Sequence, residues 1–429
     1  MKKRVEKLVT HPLISGSSVV FIGSITVNIF NYVFNLTMGR LLSIEEYGLL
    51  ASLTSFISII AIFQTSLIQL FAKFSATYTA QNNIQLKKAL FKIGLKISLG
   101  IGLSFFVILI ICIYPFSKFL HVNNYIILIL VFLSSAVLIF NSLPLGILQG
   151  ELRFISISSL NIIGVIGRIL FGFSLVLLGF GVMGGIIGIL LSFCILYAVS
   201  FFFNKNYRHI KDSNSHVDFF KEFKKISSPF LLASLGVIII QSTDVILARH
   251  FLSQTDAGRY AALSLMGKAI FYITSPLFFA FFPLIAQKKE KNEKTFSTLL
   301  LALSIVFLCS LFFFLLYSIY PSTIISFFFP QSGYQKLSPF MGIYSLYILI
   351  FSLAFLIHNY YLSLGKTGIY KPSLFSATIY LILIFLFHQS IQQFINVLIA
   401  SSLLLLLLLL VYYKNINYKK LWPVQLFFP

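Results

Sequence analysis

Three charged residues fall well inside long apolar runs of this chain: Asp244, Lys268 and Arg168. A charge at that depth costs about 2.5–3.5 kcal/mol on insertion scales, so it faces a partner or a water-filled cavity rather than lipid. Asp244 is the only acid so placed. Its spacing from Lys268, across one turn between neighbouring helices, allows a structural ion pair. The functional alternatives are a cavity charge that receives an anionic head group, or an ion-coupling carboxylate whose pKa burial can move. Arg168 has no acid on its own helix, and its guanidinium calls for a phosphate, a carbonyl or water.

Two uncharged stripes accompany these residues. Ser17, Ser24, Asn28, Asn31 and Asn35 fall within an arc of about 60° on a helix, and Ser227, Ser234, Gln241 and Asp244 within about 100°. Such stripes predict two helices lining one cavity. The blander reading is interhelical hydrogen bonding, at roughly 0.6 kcal/mol per bond. Lys92 and Lys96 are expected to snorkel to the interface, with a cationic portal for lipid phosphates as the alternative. His358 reads as a satisfied core histidine before a proton relay. Gly181, Gly184, Gly185 and Gly188 form overlapping small-xxx-small patterns for close helix packing. Pro144, Pro229, Pro276 and Pro283 are expected to kink or end helices. No Walker motif, HExxH or GxSxG is present, so no catalytic residue, metal ligand or cofactor site is expected.

The elements that position these residues are membrane helices. The 429 residues are 58% hydrophobic and 10% charged, against about 25% charged in ordinary soluble domains. Apolar runs predict twelve spans at approximately 13–38, 47–72, 90–114, 125–148, 155–179, 183–203, 228–251, 258–285, 295–320, 338–363, 370–387 and 393–413. With Met1 in the cytoplasm, cytoplasmic segments carry 25 of the 32 Lys/Arg and outer segments only five, Arg40, Lys118, Arg249, Arg259 and Lys336. That bias puts both termini in the cytoplasm and explains the net charge of +21 without nucleic acid. Lys2, Lys3, Arg4 and Lys7 precede a long first span without a small-residue cleavage site, which reads as a retained helix. Cys112, Cys194 and Cys309 read as small buried hydrophobes with no disulfide framework.

An internal repeat organises the chain. At an offset of 210, Leu42, Ser43, Glu46, Gly48, Ala51 and Leu53 meet Leu252, Ser253, Asp256, Gly258, Ala261 and Leu263. A weaker echo sets Gly150 against Gly365. Six spans on either side of the join make this a parallel repeat about an axis along the membrane normal. The expected division is an N-lobe at 1–203, a linker at 204–227 and a C-lobe at 228–429. The linker contains SHVDFFKEFKKI, where Ser215 and Asp218 suit a capping box and Phe219, Phe220, Phe223 and Ile226 share a face. It reads as an amphipathic helix on the inner membrane surface. The outer segment 321–337 is expected to hold a short interfacial helix.

GRLLSIEEYGLLAS after span 1, DVILARHFLSQTDAGRYAALSLMGK around span 7, FFPLIAQ closing span 8 and SFFFPQSGYQKLSPFMGIYSLY before span 10 resemble bacterial polysaccharide-biosynthesis flippases, the Wzx-type exporters. Their superfamily also holds multidrug-and-toxin extruders and lipid II flippases. The resemblance implies an all-α fold of twelve transmembrane helices in two six-helix lobes around a central cavity. It further implies alternating-access transfer of an undecaprenyl-pyrophosphate-linked oligosaccharide to the outer leaflet of the bacterial inner membrane. Asp244 matches the acid usual in the family's seventh helix, and Lys268 a frequently basic place in the eighth. Lipid II flippases, with fourteen helices and arginines along the first two, are a poorer match, since only Arg40 and Lys73 come close.

The expected site is thus Arg168, Lys268, Asn28, Asn31, Asn35 and Gln241 for substrate and Asp244 for ion coupling. The expected partners are the lipid-linked glycan, membrane lipid and a polysaccharide polymerase, with the chain acting as a monomer. The rival readings are an ion-coupled multidrug antiporter, which would carry more cavity carboxylates, and a membrane-embedded polymerase or ligase, which would need a larger outer loop.

Overall fold

The computed structural model describes residues 12–207, 219–290, 293 and 295–421, and the regular structure in them is helical. The first lobe comprises α1 (Pro12–Leu41), α2 (Ile44–Ala80), α3 (Ile84–Ile111), α4 (Ile113–Leu120), α5 (Tyr125–Phe140), α6 (Ser142–Gly150), α7 (Phe154–Leu175) and α8 (Gly181–Phe203). The second comprises α9 (Phe219–Phe251), α10 (Gln254–Glu290), α11 (Phe296–Ile319), α12 (Pro321–Phe328), α13 (Ser338–Ser363), α14 (Tyr370–Leu386) and α15 (Ile391–Leu421).

Among the described residues, nine helical stretches are long and apolar enough to cross a membrane. One of them, the 50-residue Phe154–Phe203, is broken in two where Gly179 and Gly181 take φ of 90° and 53°. Such angles strain any residue with a Cβ, so glycine is what lets the chain turn back there. With α1 and α10, of 30 and 37 residues, the whole is compatible with twelve crossings. The protein is a multi-pass membrane protein, and the face that carries the α2–α3 and α6–α7 turns is called here the terminal side.

The two lobes repeat one packing scheme. In the first, α2 packs on α6, α1 on α7, α7 on α8, α3 on α5 and α5 on α8. In the second, α10 packs on α13, α9 on α14, α14 on α15, α11 on α13 and α13 on α15. Each pair is the counterpart of the one before it, as the parallel repeat requires. The lobes meet through α2 against α9 and α10, and through α1 against α10.

The repeated Leu-Ser-x-x-acid-x-Gly motif has two tasks at this seam. First, it caps. Ser43 accepts from the Glu46 backbone N–H while the Glu46 carboxylate accepts from the Ser43 N–H, which starts α2. Ser253 likewise accepts from the Asp256 N–H at 3.1 Å to start α10. Second, the motif lies on the pseudo-twofold axis, where a residue meets its own copy. Thr255 donates to Glu45 at 2.7 Å, a pair separated by the 210-residue offset. A Cβ on Gly48 would sit 2.7 Å from the Gly258 backbone, so these two glycines lie back to back. We call this face, opposite the terminal side, the clasp side.

On the terminal side, Glu151 ties three loops of the first lobe together. It takes an ion pair from Lys87 at 3.0 Å and a hydrogen bond from the Tyr207 hydroxyl. Burial and that bond hold the Tyr207 phenol well above its ordinary pKa.

Several expectations change. The three cysteines are free, but Cys112 and Cys194 are exposed and Cys309 half-buried, so they belong to the outer wall of the bundle and not its interior. A membrane protein turns apolar residues toward lipid, which removes the usual link between a small apolar residue and burial. Ser215 and Asp218 lie outside the described residues. From Phe219 onward the chain is one helix into span seven, α9, rather than a separate surface helix ending at 227. Pro229, Pro276 and Pro283 fall within the continuous α9 and α10, whereas Pro144 follows the α5–α6 break directly. The short helix in 321–337 is present as α12, and α4 is its unforeseen counterpart.

The caps set a stability prediction. Replacing Ser253 with Ala removes one capped N–H and should cost about 1 kcal/mol. The apparent unfolding midpoint in detergent should fall accordingly, while Ser253→Asp, another good cap, should hold it.

Candidate functional site

Between the lobes lies a cavity of about 380 Å³, walled by α1, α2, α7, α8, α9 and α10. Its lining follows the repeat. Asn31, Tyr32, Asn35, Ala51, Thr54, Ser55 and Ser58 face it from the first lobe. From the second come Gln241, Ser242, Val245, Ala261, Ser264, Leu265 and Lys268, each 210 residues on. These seven pairs of equivalent positions form part of the lining, and Ser58 and Lys268 are the pair that differ most in charge.

All six expected substrate residues, Asn28, Asn31, Asn35, Arg168, Gln241 and Lys268, line this cavity. Asn28 donates to Ser275 at 3.2 Å across the lobes, and Asn35 donates to the Asn31 carbonyl at 2.8 Å within its own helix. The side chains of Ser17 and Ser227 lie outside the described residues. Lys92 and Lys96 are exposed on α3 and are not among the cavity-lining residues.

Asp244 is not where the stripe on span seven placed it. The lining face of α9 is Gln241, Ser242 and Val245, and Asp244 turns away from it, fully buried in the second lobe. There Lys268 Nζ reaches both carboxylate oxygens, at 2.9 and 3.1 Å. Tyr260 donates to Oδ2 at 3.2 Å and Ser264 at 3.3 Å. The Tyr344 hydroxyl lies 3.2 Å from the same oxygen and 3.0 Å from Ser264 Oγ. A buried carboxylate is tolerable only when so surrounded, because leaving it unpaired in low dielectric costs several kcal/mol. The pair therefore forms as anticipated, with the lysine as its only cavity-lining member. Lys268 thus enters the cavity already neutralised.

Arg168 is different. Its Nη1 donates to Asn31 Oδ1 at 2.9 Å, and its guanidinium lies 5.9 Å from the Phe34 ring centroid and 5.4 Å from that of Phe193. Nε is buried and has no hydrogen-bond partner among the described residues. No acid is among the residues lining the cavity. Arg168 is a guanidinium with a positive charge that no neighbouring carboxylate offsets. Phe34, the repeat counterpart of Asp244, holds one cavity cation by its ring; Asp244 holds the other by its charge.

The aromatic wall escaped the sequence reading. Tyr32, Phe34, Tyr47, Phe193 and Tyr272 all line the cavity, and the buried Tyr32 hydroxyl is unpartnered. The 210-residue offset applied to Lys268 finds Ser58, a hydroxyl of the lining, but no ring. The rings themselves are lost among 49 phenylalanines and 21 tyrosines. His358 is buried and within 3.2 Å of Ser373 Oγ, as a core histidine.

Two helical lobes around a central polar cavity make a fold shared with MATE-type structures. A multidrug resistance MATE-family transporter of the MOP superfamily, solved facing inward, matches with a TM-score of 0.74 at 13% identity, over 95% of this chain and 99% of that one. An outward-facing structure of such a transporter gives 0.68 at 14%, over 96% and 97%. A MOP superfamily transporter from Pyrococcus furiosus Vc1, described as having a binding pocket of reversed polarity that suggests a different function, gives 0.69 at 14%, over 96% and 98%. At such identities the likeness is one of fold. Among curated proteins none matches by sequence. Residues 13–289, more than half the chain, match the model of the family described as polysaccharide biosynthesis protein, and the chain belongs to that family.

The Asp244–Lys268 geometry predicts a specific mutant pattern. Lys268→Met should leave a buried carboxylate without its cation and cost about 3–5 kcal/mol, seen as loss of folded protein in membranes. The double variant Lys268→Met with Asp244→Asn should recover most of that loss, because no charge is then left unpaired. Equal damage in the single and double variants would sink this account.

Proposed function

We propose that this protein is a flippase that moves an undecaprenyl-pyrophosphate-linked oligosaccharide from the cytoplasmic to the outer leaflet of the bacterial inner membrane, by alternating access, for surface polysaccharide synthesis. The observation that carries the reading is Arg168. A guanidinium with an unused Nε, no counter-acid in its cavity and amide and hydroxyl groups around it suits a phosphate-bearing sugar better than a cation. Membership of the polysaccharide biosynthesis family supports the same reading.

In this scheme Arg168 and Asn31 hold the anionic pyrophosphate. Asn28, Asn35 and Gln241 hydrogen-bond sugar hydroxyls, the aromatic wall stacks on sugar faces, and the polyprenyl tail stays in lipid. Lys268 offers a positive head whose charge is shared with Asp244. If transport is ion-coupled, Asp244 is the carboxylate for it, reached through Lys268 and not directly from the cavity. The positive-inside bias supports an orientation with the terminal side in the cytoplasm and the clasp side outside. The lobes divide within 204–227, and the monomer passes its cargo to a polysaccharide polymerase.

A multidrug antiporter of this fold would need a carboxylate facing a cationic drug, and the lining residues include none. A polymerase or ligase has even less support, as the solved structures that share this fold are described as transporters.

In a strain deleted for the gene, Arg168→Ala at wild-type protein levels should cut surface polysaccharide by roughly ten- to a hundredfold in export rate, the worth of one hydrogen-bonded charge. Arg168→Lys should restore part of it, since the charge returns without the fork. Full surface polysaccharide from Arg168→Ala would overturn the site. Resistance to cationic drugs gained by expressing the chain would favour the antiporter.

A further inference from the structure

The clasp side carries a pair of contacts that substrate binding does not use. The short helices α4 and α12 are repeat counterparts, Ile113–Leu120 and Pro321–Phe328, at a spacing of 208 residues. Each ends in carbonyls that have no further helical turn to satisfy them, and a helix C-terminus favours cations. In both cases the cation comes from the other lobe. Arg40, at the end of α1, donates to the carbonyls of Phe328 and Phe327 at 2.8 and 2.5 Å. Arg249, at the end of α9, donates to the Leu120 carbonyl at 3.1 Å, and His250 Nδ1 donates to the Phe119 carbonyl at 2.8 Å.

Packing reinforces both ends. His250 stacks on Phe119 with centroids 4.0 Å apart, and Phe329, just past α12, lies against Tyr47 of the other lobe. Between the two contacts runs the axis, with Glu45 on Thr255 and Gly48 against Gly258. The glycine seat is tight, because a Cβ on Gly258 would lie 1.9 Å from the Ile44 carbonyl oxygen. Backbone cannot yield to such an overlap, so the seam closes only without side chains there.

We propose that the two reciprocal contacts, Arg40 on α12 and Arg249 with His250 on α4, are paired latches that hold the clasp side shut, and that both must release before the cavity opens to that side. Each latch spans the seam from opposite directions, so separating the lobes there breaks both at once. The short helices serve as catches: their C-terminal carbonyls give Arg40, Arg249 and His250 something to hold and to let go. Arg249 keeps an unpartnered buried Nη1 even while latched, so its grip is incomplete.

The test uses the full chain with Cys112, Cys194 and Cys309 replaced by Ser and with Ser55→Cys on the cavity wall as reporter. A membrane-impermeant maleimide is supplied from each side in turn. Removing the latches by Arg40→Ala, Arg249→Ala and His250→Ala together should speed labelling from the clasp side at least about tenfold, the equilibrium shift expected for losing hydrogen bonds to charged groups. Gly258→Ala, which removes no charge and wedges the seat open, should act in the same direction. Retained labelling from the terminal side shows that each variant is folded. If clasp-side labelling of both variants stays at the parent rate while terminal-side labelling persists, the latches do not hold the gate. Labelling needs no substrate, so that failure leaves the flippase reading intact, and full export by Arg168→Ala leaves the latches intact.

Discussion

The organising constraint is that a charge inside the membrane must be answered by something within reach. Asp244 is answered by Lys268 and three hydroxyls, which makes a neutral, buried knot in the second lobe. Arg168 is answered only by Asn31 and two aromatic faces. The same low dielectric therefore produces opposite results in the two lobes. One charge becomes part of the framework; the other remains available. The polarity of the cavity follows from that difference, since Arg168 and Lys268 are the cations of its lining and no acid lies among the lining residues.

Much of this was legible in the sequence because membrane insertion leaves coarse marks. Apolar runs, loop lysines and the 210-residue echo depend only on residue type and spacing, and they yielded the crossings, the two lobes and the cavity-facing side of α1. Asp244 was harder. An arc about 100° wide includes two faces of a helix, and spacing cannot say which face meets a cavity and which meets α10 and α13. The turn of Asp244 toward Lys268 depends on Tyr260, Tyr344 and Ser264, which no local pattern links to it. The cysteines were misread for a different reason: lipid accepts apolar side chains as readily as a core does, so apolarity does not measure burial here.

The short helices α4 and α12 show the complementary limit. Eight residues cannot present a periodic signal, and α12 was anticipated only because its loop was long. Their role becomes visible from the other lobe, through Arg40, Arg249 and His250. In the sequence these are ordinary polar residues at span ends on the sparsely charged side.

Position 45 has its copy at 255, and the two touch. Were the two lobes identical in sequence, a glutamate at such a place would face an identical glutamate across the twofold, two like charges at hydrogen-bonding distance. Because both copies lie in one chain the two places can differ, and Glu45 beside Thr255 is a contact no symmetric pair of identical lobes can make. Position 48 and its copy at 258 stay glycine, since there the conflict is of volume and any side chain on either copy would meet backbone. On the axis, then, a conflict of charge is resolved by making the two copies unlike, and a conflict of volume by keeping both without a side chain.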